Sequence, residues 1–404
     1  MRLLYFSFSV SPNEHDRLVK IGCRNMDNAA HAFGLKVLRA LKSCQELQVD
    51  MLSFRPVFSY PDCPEKLFER IEWASSDGSC DVMIGYKNTT FVKMQSRAWS
   101  LLKEAMRFFR KCRSDVVVVY SIHTPSLIPA LILKLFWNCK VLVIATDLPV
   151  FMTTKNHNVS TLRKAAKKLD ALIINQLLKG VDGFVFLTGS MAEFFHVPGE
   201  RFIVMEGIAE SFPGGKSFAG FSSPAIVYTG GLFEEYGIGR LLEAFAAFAP
   251  ASVELWLCGS GDMVEMIKAF SAKDHRIRYL GILNSKQTLE LQAQSLCLIN
   301  PRPITGAFTK YSFPSKIIEY LASGRPVLST KLSGIPYEYF NYLVTIESDG
   351  VEGIGEAIRR VCRMSEDERL ALGQAGRTFV EVHKSSEVQG KRLGEFLDRI
   401  ITKR

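Results

Sequence analysis

Lys316 and Glu319 stand three residues apart, just behind Pro314 and Ser315, in the stretch Phe313–Thr330. A lysine beside the free backbone N–H groups of a helix start suits a phosphate. A carboxylate one turn later suits a pair of hydroxyls, as on a ribose. Together they describe a nucleoside diphosphate. The competing reading is an amphipathic helix whose wet face happens to carry Lys and Glu. The element that holds them is legible. Pro314 suits the first helical position, Gly324 suits the exit, and Ile317, Ile318 and Leu321 share one face. A buried strand follows from Pro326.

This stretch resembles the nucleotide-sugar signature of the large family of retaining glycosyltransferases with the GT-B fold. Bacterial polysaccharide and lipopolysaccharide mannosyl- and glucosyltransferases belong to that family. Glu319 matches the second glutamate of its E-x7-E motif, and Tyr311 occupies the position of the first. The resemblance implies that Glu319 holds the ribose, that Pro314, Ser315 and Lys316 hold phosphate, and that Tyr311 faces the donor sugar. Gly230 and Gly231, after the run Ile226–Thr229, look like the family's glycine loop. Two family cations are missing there: relatives commonly carry Arg at the position of Gly231 and Lys at that of Tyr236. Arg302 and Lys310, on the loop leading to the helix, are the expected helpers. Gly259 and Gly261 resemble a family loop near the nucleotide base, although a Gly-Gly or Gly-x-Gly pair alone usually marks a tight turn. With Val264 in place of a third glycine, a dinucleotide fingerprint is excluded.

The first half alternates apolar runs with helical patterns, which implies a doubly wound parallel sheet. Ligands of such sheets bind at the strand carboxyl ends. His123 follows the run Val116–Tyr120 and Asp147 follows Val141–Ala145. His123 reads either as a structural histidine or, by resemblance, as the histidine that relatives carry beside the donor sugar. Asp147 reads either as a cap or as a polar contact to sugar or acceptor. The expected catalytic set is His123, Asp147 and Lys316.

These elements imply an α/β chain of GT-B class: two facing Rossmann-like domains with a cleft between them. Residues 1–208 would form the acceptor-side domain and 209–224 the linker. Residues 225–385 would bind nucleotide sugar, and a last helix near 386–404 would cross back. The resemblance implies a hexosyltransferase with retention of configuration. No D-x-D stands at a strand end, so neither metal nor cofactor is expected beyond the nucleotide sugar. The expected acceptor is a glycan hydroxyl, on a lipid-linked intermediate. Rival readings are a catalytically inactive GT-B subunit, suggested by the missing Arg, Lys and first Glu, and a GT-B nucleotide-sugar epimerase.

Nine cysteines with no C-x-x-C pair argue for reduced thiols in the cytoplasm. No apolar run approaches the ~18 residues that span a bilayer, and Met1–Val10 reads as a first strand rather than a leader. The net charge is +9, and residues 1–212 hold most of the excess, with 27 Lys and Arg against 20 Asp and Glu. No nucleic-acid module is present. The basic, apolar segments 107–113 and 162–174 point instead to peripheral contact with an anionic membrane at its cytoplasmic face; the alternative is a solvated helix face.

Overall fold

Strands buried on both faces of a parallel sheet read as unbroken apolar runs, and Val116–Tyr120 is buried at all five positions. In the computed structural model, which describes residues 1–23, 28–74, 79–148, 161–212, 224–306 and 308–402, the chain divides into two compact units. One is Met1–Ile208 with Ser386–Arg404, the other Ala209–Ser385.

The first unit runs β1 (Arg2–Ser7), α1 (Pro12–Lys20), α2 (Asn28–Ser43), β2 (Gln48–Ser53), β3 (Leu67–Phe68), β4 (Ile71–Ala74), β5 (Cys80–Met83), β6 (Tyr86–Lys87), α3 (Lys93–Lys111), β7 (Val116–Tyr120), α4 (Thr124–Trp137), β8 (Lys140–Ala145), α5 (Thr161–Leu178), β9 (Gly183–Phe186), α6 (Gly189–Phe194) and β10 (Phe202–Val204). Its sheet has the order β10-β9-β8-β7-β1-β2-β5-β4. Only β4 is antiparallel to its neighbour. β3 and β6 form a separate two-stranded ribbon. In the second unit, β11 (Ala225–Thr229), α7 (Ile238–Phe248), β12 (Glu254–Cys258), α8 (Val264–Lys273), β13 (Ile277–Tyr279), α9 (Ser285–Gln294), β14 (Cys297–Asn300), α10 (Lys316–Ala322), β15 (Val327–Thr330) and β16 (Val344–Ile346) build an all-parallel sheet of order β13-β12-β11-β14-β15-β16. Helices α11 (Val351–Arg363) and α12 (Glu366–Lys384) close that unit, and α13 (Ser386–Thr402) belongs to the first. Glu366–Glu368 opens α12, where Ser365 and Glu368 form a capping box.

Helix α13 joins the core of the first unit through Leu393, Phe396, Leu397 and Ile400. It lies against α2, and Gly390 sets the approach. A Cβ there would fall 2.0 Å from the Ala40 carbonyl oxygen. Gly390→Leu is therefore expected to destabilise the protein by about 1–3 kcal/mol or more, the usual cost of overpacking. A denaturant melt checks it; an unchanged midpoint would mean that α13 is not held this closely.

The thiols need a correction. Cys23 and Cys63 form a disulfide across a separation of 40 residues. Spacing alone searches for local pairs, whereas this one joins the end of α1 to the loop before β3. Cys44, Cys112, Cys139, Cys258, Cys297 and Cys362 are free. Among the described residues, no helix is long and apolar enough to cross a membrane. The stretch Arg24–Asp27 and residues 213–223 of the expected linker lie outside the described residues, as do the side chains of 161–167 in the second basic segment.

Candidate functional site

In the second unit, β11 and β12 are neighbouring parallel strands, so the loops after them lie side by side. Gly230 N–H donates to the Cys258 carbonyl at 2.9 Å, and Leu232 N–H to Ser260 at 2.9 Å. The approach leaves no room for side chains. A Cβ on Gly259 would sit 1.8 Å from the Gly230 oxygen, and one on Gly261 2.1 Å from the Leu232 oxygen. The packing of one loop on the other accounts for both glycines without a ligand. Gly230 is different: its φ is +136°, and the nearest atom to an added Cβ is Lys316 Cε at 3.6 Å. The Lys316 side chain thus lies over the first glycine turn.

Helix α10 begins later than its sequence suggests. Its first residue is Lys316 and its N-cap is Ser315, so Pro314 stands ahead of the cap rather than at the first helical position. The reason is a tighter first turn, in which Ile317 N–H bonds the Pro314 carbonyl at 2.9 Å. Gly324 closes the helix with φ +74°. Ile317, Ile318 and Leu321 are buried as expected, and Tyr320 and Ala322 are buried too. This leaves Lys316 and Glu319 as its only half-buried residues.

Those two side chains are bonded to each other. Lys316 Nζ donates to Glu319 Oε1 at 2.9 Å. Sequence reasoning gave them separate ligands, yet a three-residue helical spacing also favours an ion pair. Two further residues, which sequence reasoning missed, complete the arrangement. Gln292 of α9, fully buried, donates from Nε2 to Glu319 Oε1 at 2.6 Å and to Thr229 Oγ1 at 2.9 Å. Its own Oε1 is buried without a partner. The Tyr320 hydroxyl accepts from Thr229 N–H at 2.9 Å and donates to the Thr229 carbonyl at 3.0 Å, fastening α10 to the end of β11. Burial and the neighbouring Glu319 hold that hydroxyl above the usual tyrosine range. A cation, a carboxylate and a buried amide therefore meet at the glycine turn: phosphate chemistry beside hydroxyl recognition.

Arg302 stands on the other side of the glycine loop. Its guanidinium lies 4.3 Å over the Tyr236 ring, and an added Cβ on Gly231 would be 3.0 Å from that ring. The Tyr228 hydroxyl donates to the Gly231 carbonyl at 2.7 Å. Lys310 Nζ lies 4.8 Å over the Tyr311 ring, on the turn before α10.

His123 and Asp147 belong to the first unit. Asp147 is exposed on a bend after β8. His123 is the N-cap residue of α4 but makes no side-chain cap bond. Its ring meets Phe8 edge-on at 5.2 Å, and its Nδ1 is buried without a partner. Burial, then Arg97 and Lys93, push its pKa down to about 3. A pKa that low keeps the ring neutral near neutral pH. An unfolded chain protonates this histidine at about pH 6.5; below that the unfolded state binds the extra proton, so stability falls with acidity down to the folded value. His123→Phe should therefore flatten the acid limb of the stability profile. Equal acid sensitivity in both proteins would contradict the burial argument.

The chain is an α/β protein of GT-B fold class. The sucrose-phosphate synthase (tll1590) from Thermosynechococcus elongatus is similar over 100% of both chains, with TM-score 0.64 and 13% identity. A glycosyltransferase from Rickettsia africae ESF-5 is similar over 100% of this chain and 99% of its own, with TM-score 0.66 and 14% identity. The catalytic domain of starch synthase IV from Arabidopsis thaliana, bound to ADP and acarbose, is similar over 100% of both, with TM-score 0.65 and 11% identity. At such identities the likeness is one of fold. Residues 223–364, the segment holding both glycine loops, Gln292 and α10, match the family described as "Glycosyl transferases group 1". Comparison with curated protein sequences returns no match.

Proposed function

We propose that this chain is a glycosyltransferase that moves a hexose from a nucleotide diphosphate sugar to a glycan hydroxyl. The observation that carries the reading is the Lys316–Glu319–Gln292 cluster over the Gly230 turn, inside the segment that matches group 1 glycosyltransferases. Glu319, its carboxylate fixed by Gln292, accepts hydrogen bonds from the ribose hydroxyls. Lys316 leaves Glu319 for the diphosphate, and Arg302 supplies a second cation. The exchange is affordable, because a partly exposed ion pair is worth only about 0–1 kcal/mol.

Transfer breaks the bond from the anomeric carbon to the diphosphate oxygen and forms one from the same carbon to the acceptor oxygen. In the retaining mode the acceptor attacks from the face the diphosphate leaves, and its proton passes to a diphosphate oxygen. The protein's share is orientation and stabilisation of the charge that develops on the leaving group. No metal is required in this scheme. Turnover with a panel of nucleotide sugars and lipid-linked acceptors, run with and without a chelator, tests it. Transfer that survives chelation with the donor's anomeric configuration kept supports the reading. Binding without turnover on any acceptor favours the inactive subunit instead, the reading that the neutral Gly231 and Tyr236 keep open.

The acceptor in this reading is lipid-linked and met at an anionic membrane. Support comes from apolar residues exposed beside basic ones: Trp99, Lys103 and Arg110 on α3, Leu135 and Phe136 on α4, Lys168, Leu169 and Leu172 on α5. Each nearby cation contributes about 1 kcal/mol of attraction to an anionic surface, screened by salt. Sedimentation should show binding to anionic vesicles that weakens with salt. Equal binding to neutral vesicles would remove the electrostatic part.

A further inference from the structure

Among the described residues of the first unit, two buried cations, Lys93 and Arg97, have no carboxylate partner. They lie where α3 begins, beside the residues that follow the carboxyl ends of β2 and β7. Nearby charges are matched. Glu14 takes Arg55 at 2.5 Å and Arg17 at 2.8 Å, and Arg17 also pairs with Glu65. Lys93 and Arg97, one helical turn apart, are only 7% and 5% exposed. Lys93 Nζ donates to the Val57 carbonyl. Arg97 Nη2 donates to the Arg55 carbonyl at 2.7 Å and to the Tyr86 hydroxyl at 2.9 Å. Its guanidinium lies over the rings of Phe54 and Tyr86. Carbonyls and rings brace the two side chains but do not neutralise them. Arg97 Nε and His123 Nδ1 are both buried without a partner.

Two adjacent like charges out of water carry a large desolvation cost unless an opposite charge joins them. The strain is visible at Lys93, whose pKa burial and Arg97 push down to about 7. An anion with several acceptor oxygens would pair with both. The position fits a substrate group, since ligands of parallel sheets sit at the carboxyl ends of the strands.

We propose that Lys93 and Arg97, with the ring of His123 beside them, form an anion site that takes a phosphoryl group of the acceptor substrate. The anion site stands on the first unit alone; assigning its occupant to the acceptor rests on the glycosyl-transfer reading. A phosphoryl group brings the charge that pairs both cations and acceptor oxygens for their N–H groups. A soluble sugar phosphate and a lipid-linked diphosphate share this chemistry.

The test is calorimetric titration of the full chain with inorganic phosphate, a hexose phosphate and a short-chain prenyl diphosphate at constant ionic strength. Wild-type protein is expected to bind inorganic phosphate. Lys93→Met should weaken that by about tenfold or more, the scale of one lost charge-assisted hydrogen bond, while Lys93→Arg should restore it. The hexose phosphate or the prenyl diphosphate, whichever binds more tightly, identifies the source. Phosphate should also protect Lys93 from acylation in wild-type protein, read by mass spectrometry, which covers the case of a variant that does not fold. Absence of phosphate binding, or equal binding by folded wild type and Lys93→Met without protection of Lys93, would overturn the site and leave these cations as braces of the 54–57 loop. Nucleoside diphosphate binding distinguishes the two readings. If it persists while phosphate binding fails, this site is wrong and the donor site stands; if it alone is absent, the donor reading fails and the anion site stands.

Discussion

Lys316→Ala is expected to lower kcat by about 100- to 1000-fold, the cost of removing one donor from a preorganised site, with a smaller loss of donor affinity. Charge grows on the diphosphate as the sugar leaves. A cation placed there acts more strongly on the transition state than on the bound substrate, and only that difference accelerates the step. In the proposed reaction Lys316 would serve this role from above the Gly230 turn, at the start of its short helix. Gly231 and Tyr236 bring no charge to the loop, which leaves Lys316 and Arg302 to share the work. In the free protein Lys316 rests on Glu319, so alanine also removes an ion pair; being partly exposed, that pair contributes little to stability. The melt of the folded variant should be nearly unchanged. A near-normal kcat would shift the role to Arg302 or Lys310.

Glu319→Ala should behave differently. The ribose is unchanged by the reaction, so losing its partner weakens ground state and transition state alike and raises KM for the donor. Two charge-assisted hydrogen bonds at stake suggest about a 10- to 100-fold effect. Gln292→Leu tests the same point from behind. It keeps the carboxylate but removes the amide donor at 2.6 Å. A donor KM that rises in both variants, more in Glu319→Ala, is the expected pattern. If Gln292→Leu instead lowers only stability, the amide is a core hydrogen bond and does not position Glu319.

Much of the scaffold was legible because parallel strands announce themselves. Arg2–Ser7, Val116–Tyr120, Lys140–Ala145 and Ala225–Thr229 form as the apolar runs suggest, and the other strands read from such runs differ by a residue or two at their ends. The short edge strands β4 and β10 and the ribbon of β3 and β6 were missed, since two to four residues show no period. The Lys316–Glu319 pair was legible because both lie on one helical turn. Gln292 and Tyr320 were not: their partners are 27 and 91 residues away in sequence, and a glutamine in a helix has no signature. Gly259 and Gly261 have a second explanation that spacing does not show. Their spacing suggests a ligand loop, while a neighbouring backbone already requires them. The braced cations of α3 were hidden for a similar reason. Lys93 and Arg97 look like an ordinary wet face until the fold buries them.

The most direct test of the donor site is calorimetric titration of the wild-type chain and of Lys316→Ala and Glu319→Ala with a panel of nucleoside diphosphates in the presence of a chelator. The site described here predicts that one base is bound by the wild type, that Glu319→Ala loses about tenfold or more in affinity, and that Lys316→Ala loses less. Binding that is absent for every base in the folded wild-type protein, or unchanged in both variants, would contradict it.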